Sequence, residues 1–376
     1  MARWRALNRI YEIYTSDLSM KEVEKLIKRD TPEVYDFYVR RMKMPENSRN
    51  SIERSFLFLR NLFIEFLLKM SPARRLVYSM AVVFFIAGWF GGMWNWAVLG
   101  FFMVNLLIAF ELADKLTAKD ELAVAREIQT DLMPRHAPEN SLFDIACYSE
   151  PAREVGGDYY DFICPENQEE RMYIVIGDIS GKGMGAALYM VQVQAILRHL
   201  SNTCYGTKAI LTALNKSLQN VLKPESFFTV SMASLERGKC EISFSRAGHT
   251  PLLHYRAREK KAENVTPVGM GVGLCDGGIF DRVLEETAIT TETGDVLVFY
   301  TDGLTEAMDK ERNFFGEERL RSIIEKNAHL SASLIQESII RELEEFRNSA
   351  LPGDDTTLVI MKRLSEAASQ EKHVLL

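Results

Sequence analysis

The residues of this sequence best suited to chemistry are aspartates that stand beside glycines at the ends of apolar runs. They are Asp158, Asp178, Asp302 and the pair Asp354 and Asp355. One such aspartate is ordinary turn chemistry. If the apolar runs stack as strands, several of these carboxylates converge, and so much negative charge requires cations. Because the pattern offers oxygen ligands without histidine or cysteine, it favours Mg²⁺ or Mn²⁺ over zinc.

Asp178 has the most informative surroundings of these aspartates. It follows a short apolar run, Tyr173 to Ile176, and precedes three glycines within residues 181–185. The run predicts a buried strand, and the glycines indicate a tight loop in which the backbone approaches a ligand closely. A carboxylate in this position suits a hard cation. The alternative is that Asp178 only caps the helix predicted after the loop.

Two divalent ions held close together suit hydrolysis of a phosphate ester. They lower the pKa of a water molecule and neutralise charge on the transferred phosphoryl group. Such a reaction needs no covalent nucleophile, and the sequence contains no Gly-x-Ser-x-Gly elbow, no cysteine-plus-arginine loop and no Walker loop. Lys182 lies in the glycine-rich segment and has two interpretations, a phosphate contact or a solvated loop lysine.

The segment from Leu142 onward must position these aspartates, and short strand-like runs dominate it. The strand runs outnumber the helical patterns and occur in adjacent groups, which favours the α+β class with antiparallel sheets over a βαβ winding. The clearest strand runs begin at residues 143, 172, 227, 240, 296 and 357, and the helical patterns cover about residues 184–200, 207–221, 317–327 and 331–348.

Five motifs occur in order along this part of the chain. They are Val155-Gly-Gly-Asp-Tyr-Tyr-Asp-Phe162, Gly177-Asp-Ile-Ser-Gly-Lys-Gly-Met-Gly-Ala186, Ala247-Gly-His-Thr-Pro-Leu252, Tyr300-Thr-Asp-Gly-Leu-Thr-Glu-Ala307 and Asp354-Asp-Thr-Thr-Leu-Val359. With Glu127-Ile-Gln-x-x-Leu before them, residues of about 127–362 resemble the SpoIIE/RsbU branch of the metal-dependent (PPM-type) serine/threonine phosphatases. Five ordered motifs over about two-thirds of the chain make a more specific match than any single motif.

The resemblance implies a β-sandwich of two stacked antiparallel sheets flanked by helices, with a two-metal site at one edge. It implies that Asp178 bridges both ions, and that Asp158 and Asp178 are the catalytic residues. The metal ligands that it assigns are Asp158, Asp178, the backbone carbonyl of Ile179, Asp302, Asp354 and, as the alternate to Asp354, Asp355.

The motif that contains His249 has two interpretations. His249 lies in a turn between strand runs, where relatives often carry asparagine in the position of Thr250. We expect a structural role for His249, and the alternative is protonation of the leaving group. Arg153 is near the position where a phosphate-binding residue is expected, but no such role is assigned to it.

An uncharged stretch, residues 76–110, precedes the phosphatase-like region. A single helix of this length would be about 50 Å long, whereas a bilayer core is about 30 Å thick. Glycines and tryptophans in residues 91–96 interrupt the stretch, so two short spans, about 76–90 and 95–111, predict a membrane hairpin. Basic residues at 74–75 and at 115 and 119 predict that both ends face the cytoplasm. The alternative is a buried helical hairpin of a soluble protein.

A charged helix is predicted from Glu111 to Leu132, ended by Pro134. Its apolar stripe predicts pairing with a second copy of the chain; the stripe consists of Ala118, Leu122, Ala125, Ile128 and Leu132. The domains expected are a helical N-terminal region (1–73), the membrane hairpin (74–111), a linker helix with a possible coiled coil (112–139), the PPM-type domain (140–363) and a tail (364–376).

Composition bounds the class of protein. The net charge of −7 argues against a nucleic-acid partner, and five scattered cysteines are typical of reduced thiols in the cytoplasm. The resemblance and the predicted hairpin together imply a membrane-anchored phosphatase with a cytoplasmic catalytic domain, which uses two Mn²⁺ or Mg²⁺ ions on phosphoserine or phosphothreonine of a regulatory protein. By resemblance that substrate is a small phosphoprotein such as an anti-sigma-factor antagonist. The alternatives are a catalytically silent membrane scaffold with a phosphatase-like fold and a nucleotide hydrolase.

Overall fold

The computed structural model describes residues 60–61, 63–168, 170–219, 221–223, 225–348 and 350–365. The predictions for residues 1–59 and for most of the C-terminal tail lie outside these ranges. The chain divides into two compact units, residues 1–117 and residues 118–376.

The first unit contains a helical hairpin. Helix α1 spans Pro72–Phe90, and helix α2 begins at Trp94 after a three-residue turn and ends at Leu132. The two helices approach closely, since a Cβ on Gly88 would lie 2.2 Å from the backbone nitrogen of Ala97. By length and composition, both helices are apolar enough to cross a membrane.

Helix α2 contains two segments that the sequence pattern predicts to be separate. The second predicted span and the predicted linker helix form one continuous helix, Trp94–Leu132. No proline interrupts residues 94–133, and Pro134 follows directly. Because proline removes a backbone donor and clashes with the preceding turn, the helix ends there. The boundary between the two units falls within α2.

The second unit contains two five-stranded antiparallel sheets. In sheet order, the first consists of β1 (Phe143–Glu150), β10 (Thr356–Arg363), β9 (Val296–Tyr300), β6 (Leu252–Arg256) and β7 (Lys261–Val265). The second consists of β2 (Asp158–Ile163), β3 (Arg171–Ile179), β4 (Phe228–Glu236), β5 (Glu241–Ala247) and β8 (Glu286–Thr290). The predicted α+β class with antiparallel sheets is confirmed.

Helices flank the sheets. They are α3 (Met184–Thr203), α4 (Thr207–Leu218), α5 (Gly277–Val283), α6 (Asp302–Thr305), α7 (Glu317–Asn327) and α8 (Ala332–Arg347). The central strands are buried on both faces, which explains their continuous apolar runs. In β3, Val175 packs in the cluster that includes α3 and α4, whereas Ile174 and Ile176 join the cluster that draws on both sheets.

The sequence pattern predicts six of the strands and does not single out β2, β6, β7 and β8. The missed strands are short, and β7 is the polar segment Lys261-Ala-Glu-Asn-Val265 at the edge of its sheet. An edge strand has only one neighbour and little buried surface, so its sequence carries a weak apolar signal.

Candidate metal centre

Asp158 and Asp178 lie directly opposite each other on neighbouring strands. Asp158 opens β2 and Asp178 is the penultimate residue of β3, and the two are paired in the antiparallel register. Directly opposed residues project from the same face of a sheet. The register therefore brings together two carboxylates that are twenty positions apart in the sequence.

Asp158 is the buried member of this pair. Its side chain is held by two hydroxyls, because Thr301 Oγ1 and Thr357 Oγ1 donate to Asp158 Oδ2 at 2.9 and 2.6 Å. Burial, followed by the charge of Asp178, raises the pKa of Asp158 well above its ordinary value. Thr357 lies in β10 and Thr301 directly follows β9, so these bonds tie the edge of the first sheet to Asp158 of the second.

Asp178 faces carboxylates from both sheets. Burial, and then the charges of Asp302, Asp354 and Asp355, raise the pKa of Asp178 to about 7, while Lys182 acts in the opposite direction. Burial contributes most to this shift, and the neighbouring carboxylates add to it. Asp302, Asp354 and Asp355 therefore lie near Asp178, at one edge of the sandwich.

Asp302 and Asp354 come from the ends of adjacent strands of the first sheet. Asp302 follows β9, and Asp354 lies two residues before β10. The backbone nitrogen of Thr301 donates to the carbonyl of Thr357 at 3.0 Å, which holds the two chain segments together. Asp302 is exposed at the edge of the site. Partial desolvation of its carboxyl group, followed by the charge of Asp354, raises the pKa of Asp302.

Asp355 has a different environment from Asp354. The backbone nitrogens of Ala152 and Gly157 donate to its two carboxylate oxygens at 2.8 and 2.7 Å. Asp355 thus braces the loop that leads into Asp158. The geometry favours Asp354 over Asp355 as the metal ligand of this pair.

Two oxygen atoms line the space beside Gly157. A Cβ on Gly157 would lie 2.9 Å both from Asp178 Oδ1 and from the carbonyl oxygen of Ile179. A carboxylate oxygen and a carbonyl oxygen therefore face one small space, and hard cations prefer such ligands. Within the described ranges no three acidic, histidine or cysteine side chains are gathered tightly enough to form a complete ligand set.

His249 is buried beneath the site. Its Nδ1 lies 3.0 Å from Thr229 Oγ1, and Thr229 is paired with Asp178 across β3 and β4. Burial lowers the pKa of His249 to about 3. The neighbouring Thr250 hydroxyl donates to the carbonyl of Tyr300, next to the strand end that carries Asp302. These contacts support a structural role for His249, because a buried, neutral imidazole is a poor proton donor.

The structure adds residues that the sequence analysis does not assign. Gln129, on the last turns of α2, is 5 % exposed. Its Nε2 donates to the carbonyl of Gly156 at 2.7 Å, and the Gly156 nitrogen donates to its Oε1 at 3.1 Å. The sequence signal for Gln129 is its place in Glu127-Ile-Gln. Thr301 and Thr357 are the other unassigned residues, and each lies within motifs quoted above.

Comparisons with known proteins agree with this architecture. The family model described as Stage II sporulation protein E (SpoIIE) matches residues 168–364, just over half of the chain. A phosphoserine phosphatase, RsbU of Bacillus subtilis (strain 168), is 28% identical over 248 residues, which cover 65% of this chain and 70% of that protein.

Two solved structures share the fold. The RsbU and RsbW domains of Rv1364c from Mycobacterium tuberculosis are 26% identical with a TM-score of 0.52, over 62% of this chain and 63% of that chain. The SiaA-PP2C domain of Pseudomonas aeruginosa is 19% identical with a TM-score of 0.58, over 67% of this chain and 99% of that chain. The two antiparallel sheets and their flanking helices are those of the PP2C fold. By its sequence match and its architecture, the chain belongs to the SpoIIE family.

Proposed function

We propose that the chain is a membrane-anchored protein phosphatase that hydrolyses phosphoserine or phosphothreonine on a regulatory protein with the help of two divalent cations. The observation that carries the proposal is the convergence of Asp158 and Asp178 from one sheet with Asp302 and Asp354 from the other. Such a group of oxygen ligands suits Mg²⁺ or Mn²⁺. Bound there, the two ions would supply a nucleophilic water at neutral pH and would neutralise phosphoryl charge.

Residues of this chain would hold the ions of the proposed site and orient their ligands. Asp178 faces both sheets and is assigned to both ions, with the carbonyl of Ile179 beside it. Asp158 completes one side, and its carboxylate is oriented by the hydroxyls of Thr301 and Thr357. Outer hydrogen bonds of this kind orient ligands and typically contribute about 10- to 100-fold to metal affinity or activity. Asp302 and Asp354 are assigned to the second ion.

The proposed substrate is a phosphoprotein. The relative named phosphoserine phosphatase RsbU supports this class, since the chain covers 70% of its length. The site lies at an exposed edge of the sandwich, with Asp302 and Asp354 open to solvent, so a phosphorylated loop of a folded protein can reach it. An anti-sigma-factor antagonist is the substrate that the resemblance to the RsbU branch suggests.

Membrane anchoring is supported by the helical hairpin. Large apolar side chains are exposed along both helices, among them Val83, Phe90, Phe102 and Leu106. Arg74 forms ion pairs with Glu111 and Asp114 at 2.8 and 2.5 Å, so the charged residues gather at the end where both helices meet the cytoplasm in this proposal. Close approach of small residues such as Gly88 and Ala97 is typical of helix packing in membranes.

Regulation through the linker part of α2 is the second element of the proposal. The carbonyl of Leu132 accepts from Gln194 on α3, the helix that follows the glycine-rich loop. Gln129 holds Gly156, two residues before Asp158. A change of partner or register of α2 would therefore reach both the glycine-rich loop and Asp158. The exposed Val124 and Ile128 are the surface proposed for a homodimer.

The experiment that tests the catalytic proposal uses the full chain in detergent. We expect Mn²⁺-dependent hydrolysis of a phosphoserine peptide and of p-nitrophenyl phosphate. Loss of an outer hydrogen-bond partner of a metal ligand typically lowers activity by about 10- to 100-fold. Because Asp178→Asn changes a proposed ligand itself, it should lower the rate of hydrolysis by more than about 100-fold. Glu311→Gln, which changes an exposed carboxylate outside the site, is the control. A chain that binds its partner and two ions but hydrolyses neither substrate would instead be the silent scaffold.

A further inference from the structure

Lys182 is the cation of the candidate site. Its Nζ lies 2.7 Å from Asp354 Oδ2 and 3.0 Å from the carbonyl oxygen of Gly353. Its positive charge also acts to lower the pKa values of Asp178 and Asp302, although burial and neighbouring carboxylates raise these values by more. Among the described residues, Lys182 alone forms an ion pair with any of the five aspartates.

The two glycines that flank Lys182 face open space. A Cβ added at Gly181 or Gly183 would meet no atom within 4 Å, so the neighbours of Lys182 leave room for its side chain. The Lys182 side chain is 47% exposed and its partner Asp354 is 48% exposed. A half-exposed ion pair contributes little to stability. The contact with Asp354 can therefore be exchanged for another at small cost.

Charge balance indicates what the exchanged partner is. The four aspartates assigned as ligands, Asp158, Asp178, Asp302 and Asp354, would carry four negative charges when ions are bound, and two divalent cations would cancel these four. The fifth carboxylate, that of Asp355, accepts hydrogen bonds from two backbone N–H groups instead. A phosphomonoester then brings about −1.5 to −2 further charges at neutral pH. Since Asp354 is assigned to an ion, that ion would replace the lysine ammonium as its counter-charge. The ammonium is then left at the mouth of the site, four residues after Asp178, without a carboxylate partner.

We propose that Lys182 binds the non-bridging oxygens of the substrate phosphoryl group, and that its contact with Asp354 is its resting position. This inference rests on the proposed phosphatase function and adds the residue that recognises the phosphate. Lysine acts as a point charge on phosphate. Its half-exposed side chain between two glycines leaves room for phosphoserine and phosphothreonine alike.

The test compares Lys182→Met and Lys182→Arg with the wild-type full chain in detergent at saturating Mn²⁺. Methionine keeps the apolar stem and removes the charge. We expect Lys182→Met to raise both the KM for p-nitrophenyl phosphate and the inhibition constant of inorganic phosphate by about 10- to 100-fold, the usual effect of a hydrogen bond to a charged group. Lys182→Arg should recover most of this loss. Lys326→Met, which removes an exposed lysine charge on α7, should leave both constants unchanged.

Mn²⁺ binding, followed by electron paramagnetic resonance, separates recognition from a structural role. If Lys182 only held Asp354 in position, Lys182→Met would weaken Mn²⁺ binding, and its KM would return to the wild-type value as Mn²⁺ is raised. We expect unchanged or tighter Mn²⁺ binding, since the ammonium no longer competes for Asp354. Unchanged KM and phosphate inhibition in Lys182→Met overturn the proposal. A wild-type chain without any hydrolysis overturns the proposed function itself.

Discussion

At the scale of single residues, the candidate site gathers several carboxylates whose charged forms are disfavoured. Asp158, Asp178 and Asp302 all have raised pKa values, because burial and neighbouring carboxylates disfavour their charged forms. Hydroxyls orient Asp158, backbone N–H groups hold Asp355, and a lysine contacts Asp354. The fold holds these carboxylates near one another, and bound cations would reduce the repulsion between them.

The pKa of Asp178 predicts how stability depends on pH in cation-free protein. In the unfolded chain an aspartate has a pKa of about 4, and in the folded chain that of Asp178 is about 7. Between these values the folded state binds more protons than the unfolded state, so stability falls as pH rises. We therefore expect the apparent Tm of the wild type, measured relative to Asp178→Asn, to fall as pH rises from 4 to 7.

Adding Mn²⁺ supplies the control for this pH experiment. A cation that binds only the folded state raises stability by mass action, so the wild-type Tm should rise with Mn²⁺ above pH 7 and that of Asp178→Asn should rise much less. A wild type and Asp178→Asn variant whose Tm values stay parallel across the pH range would contradict the raised pKa.

Gly157 provides a steric test of the cation space. In Gly157→Ala the new Cβ would lie 2.9 Å from both Asp178 Oδ1 and the carbonyl oxygen of Ile179. We expect Mn²⁺ affinity to fall by about 10- to 100-fold, as for other changes that displace ligands, measured by electron paramagnetic resonance. Gly185→Ala, where a Cβ would meet no atom within 4 Å, should bind Mn²⁺ as the wild type does. Equal affinities in the two variants would argue that the ions bind elsewhere.

At the scale of elements, the linker part of α2 has two different faces. Gln129 is buried against Gly156, and Leu122 and Ala125 are half-buried. Val124 and Ile128 are each 56% exposed. Of the predicted stripe of Ala118, Leu122, Ala125, Ile128 and Leu132, the structure makes Leu122, Ala125 and Leu132 half-buried and Ile128 exposed. The inner face, which carries Leu122, Ala125 and Gln129, contacts Gly156 through Gln129, and the outer face, which carries Val124 and Ile128, is the surface proposed for a second copy.

The inner face predicts an effect of Gln129 on the site. Gln129→Leu would leave the N–H and C=O groups of Gly156 without their partner, and each unpaired buried group costs about 1–3 kcal/mol. We expect a lower apparent Tm of the catalytic unit and weaker Mn²⁺ binding, because Gly156 leads into Asp158. Thr130→Ala, an exposed neighbour on the same helix, is the matched control. Normal Mn²⁺ affinity in Gln129→Leu would show that the helix does not act on the site.

The outer face predicts the oligomeric state. Replacing Val124 and Ile128 by aspartate puts charge on the proposed dimer surface, so the full chain in detergent should change from dimer to monomer in light scattering after size exclusion. Glu127→Gln, also exposed, should remain dimeric. Leu122→Asp, on the inner face, should instead reduce activity. If neither oligomer size nor activity changes in these variants, the linker carries no signal.

At the scale of the whole molecule, the proposed membrane anchoring predicts a definite topology. The two apolar helices α1 and α2 are joined by a turn of three residues, Gly91 to Met93. Paired spans return the chain to the side from which it entered. The five native cysteines, which belong to the catalytic unit, would then all face the cytoplasm.

Thiol labelling tests this topology in intact bacterial cells that express the full chain. With a membrane-impermeant maleimide, the wild type should react only after the membrane is permeabilised, through exposed thiols such as Cys164 and Cys240. Gly92→Cys places a thiol in the turn, and it should react in intact cells. The protein should also stay in the membrane fraction after a high-salt wash. Recovery of the wild type in the soluble fraction would contradict the proposed anchoring.

The sequence by itself predicted much of the secondary structure and named the aspartates that are candidates for the chemistry. Aspartates beside glycines mark strand ends because local turn chemistry requires them. The runs that become β3, β9 and β10 are apolar because they are buried on both faces. Both signals are local, so they can be read without the fold, and family motifs extended them to the fold class.

Only the tertiary structure decided how these residues meet. The register that pairs Asp158 with Asp178 depends on hydrogen bonds between strands, and a shift of one residue would turn either side chain to the other face. The different environments of Asp354 and Asp355, the contact of Lys182 with Asp354 and the inward position of Gln129 depend on residues that are distant in sequence. Such contacts depend on packing between elements, which a local sequence pattern does not predict.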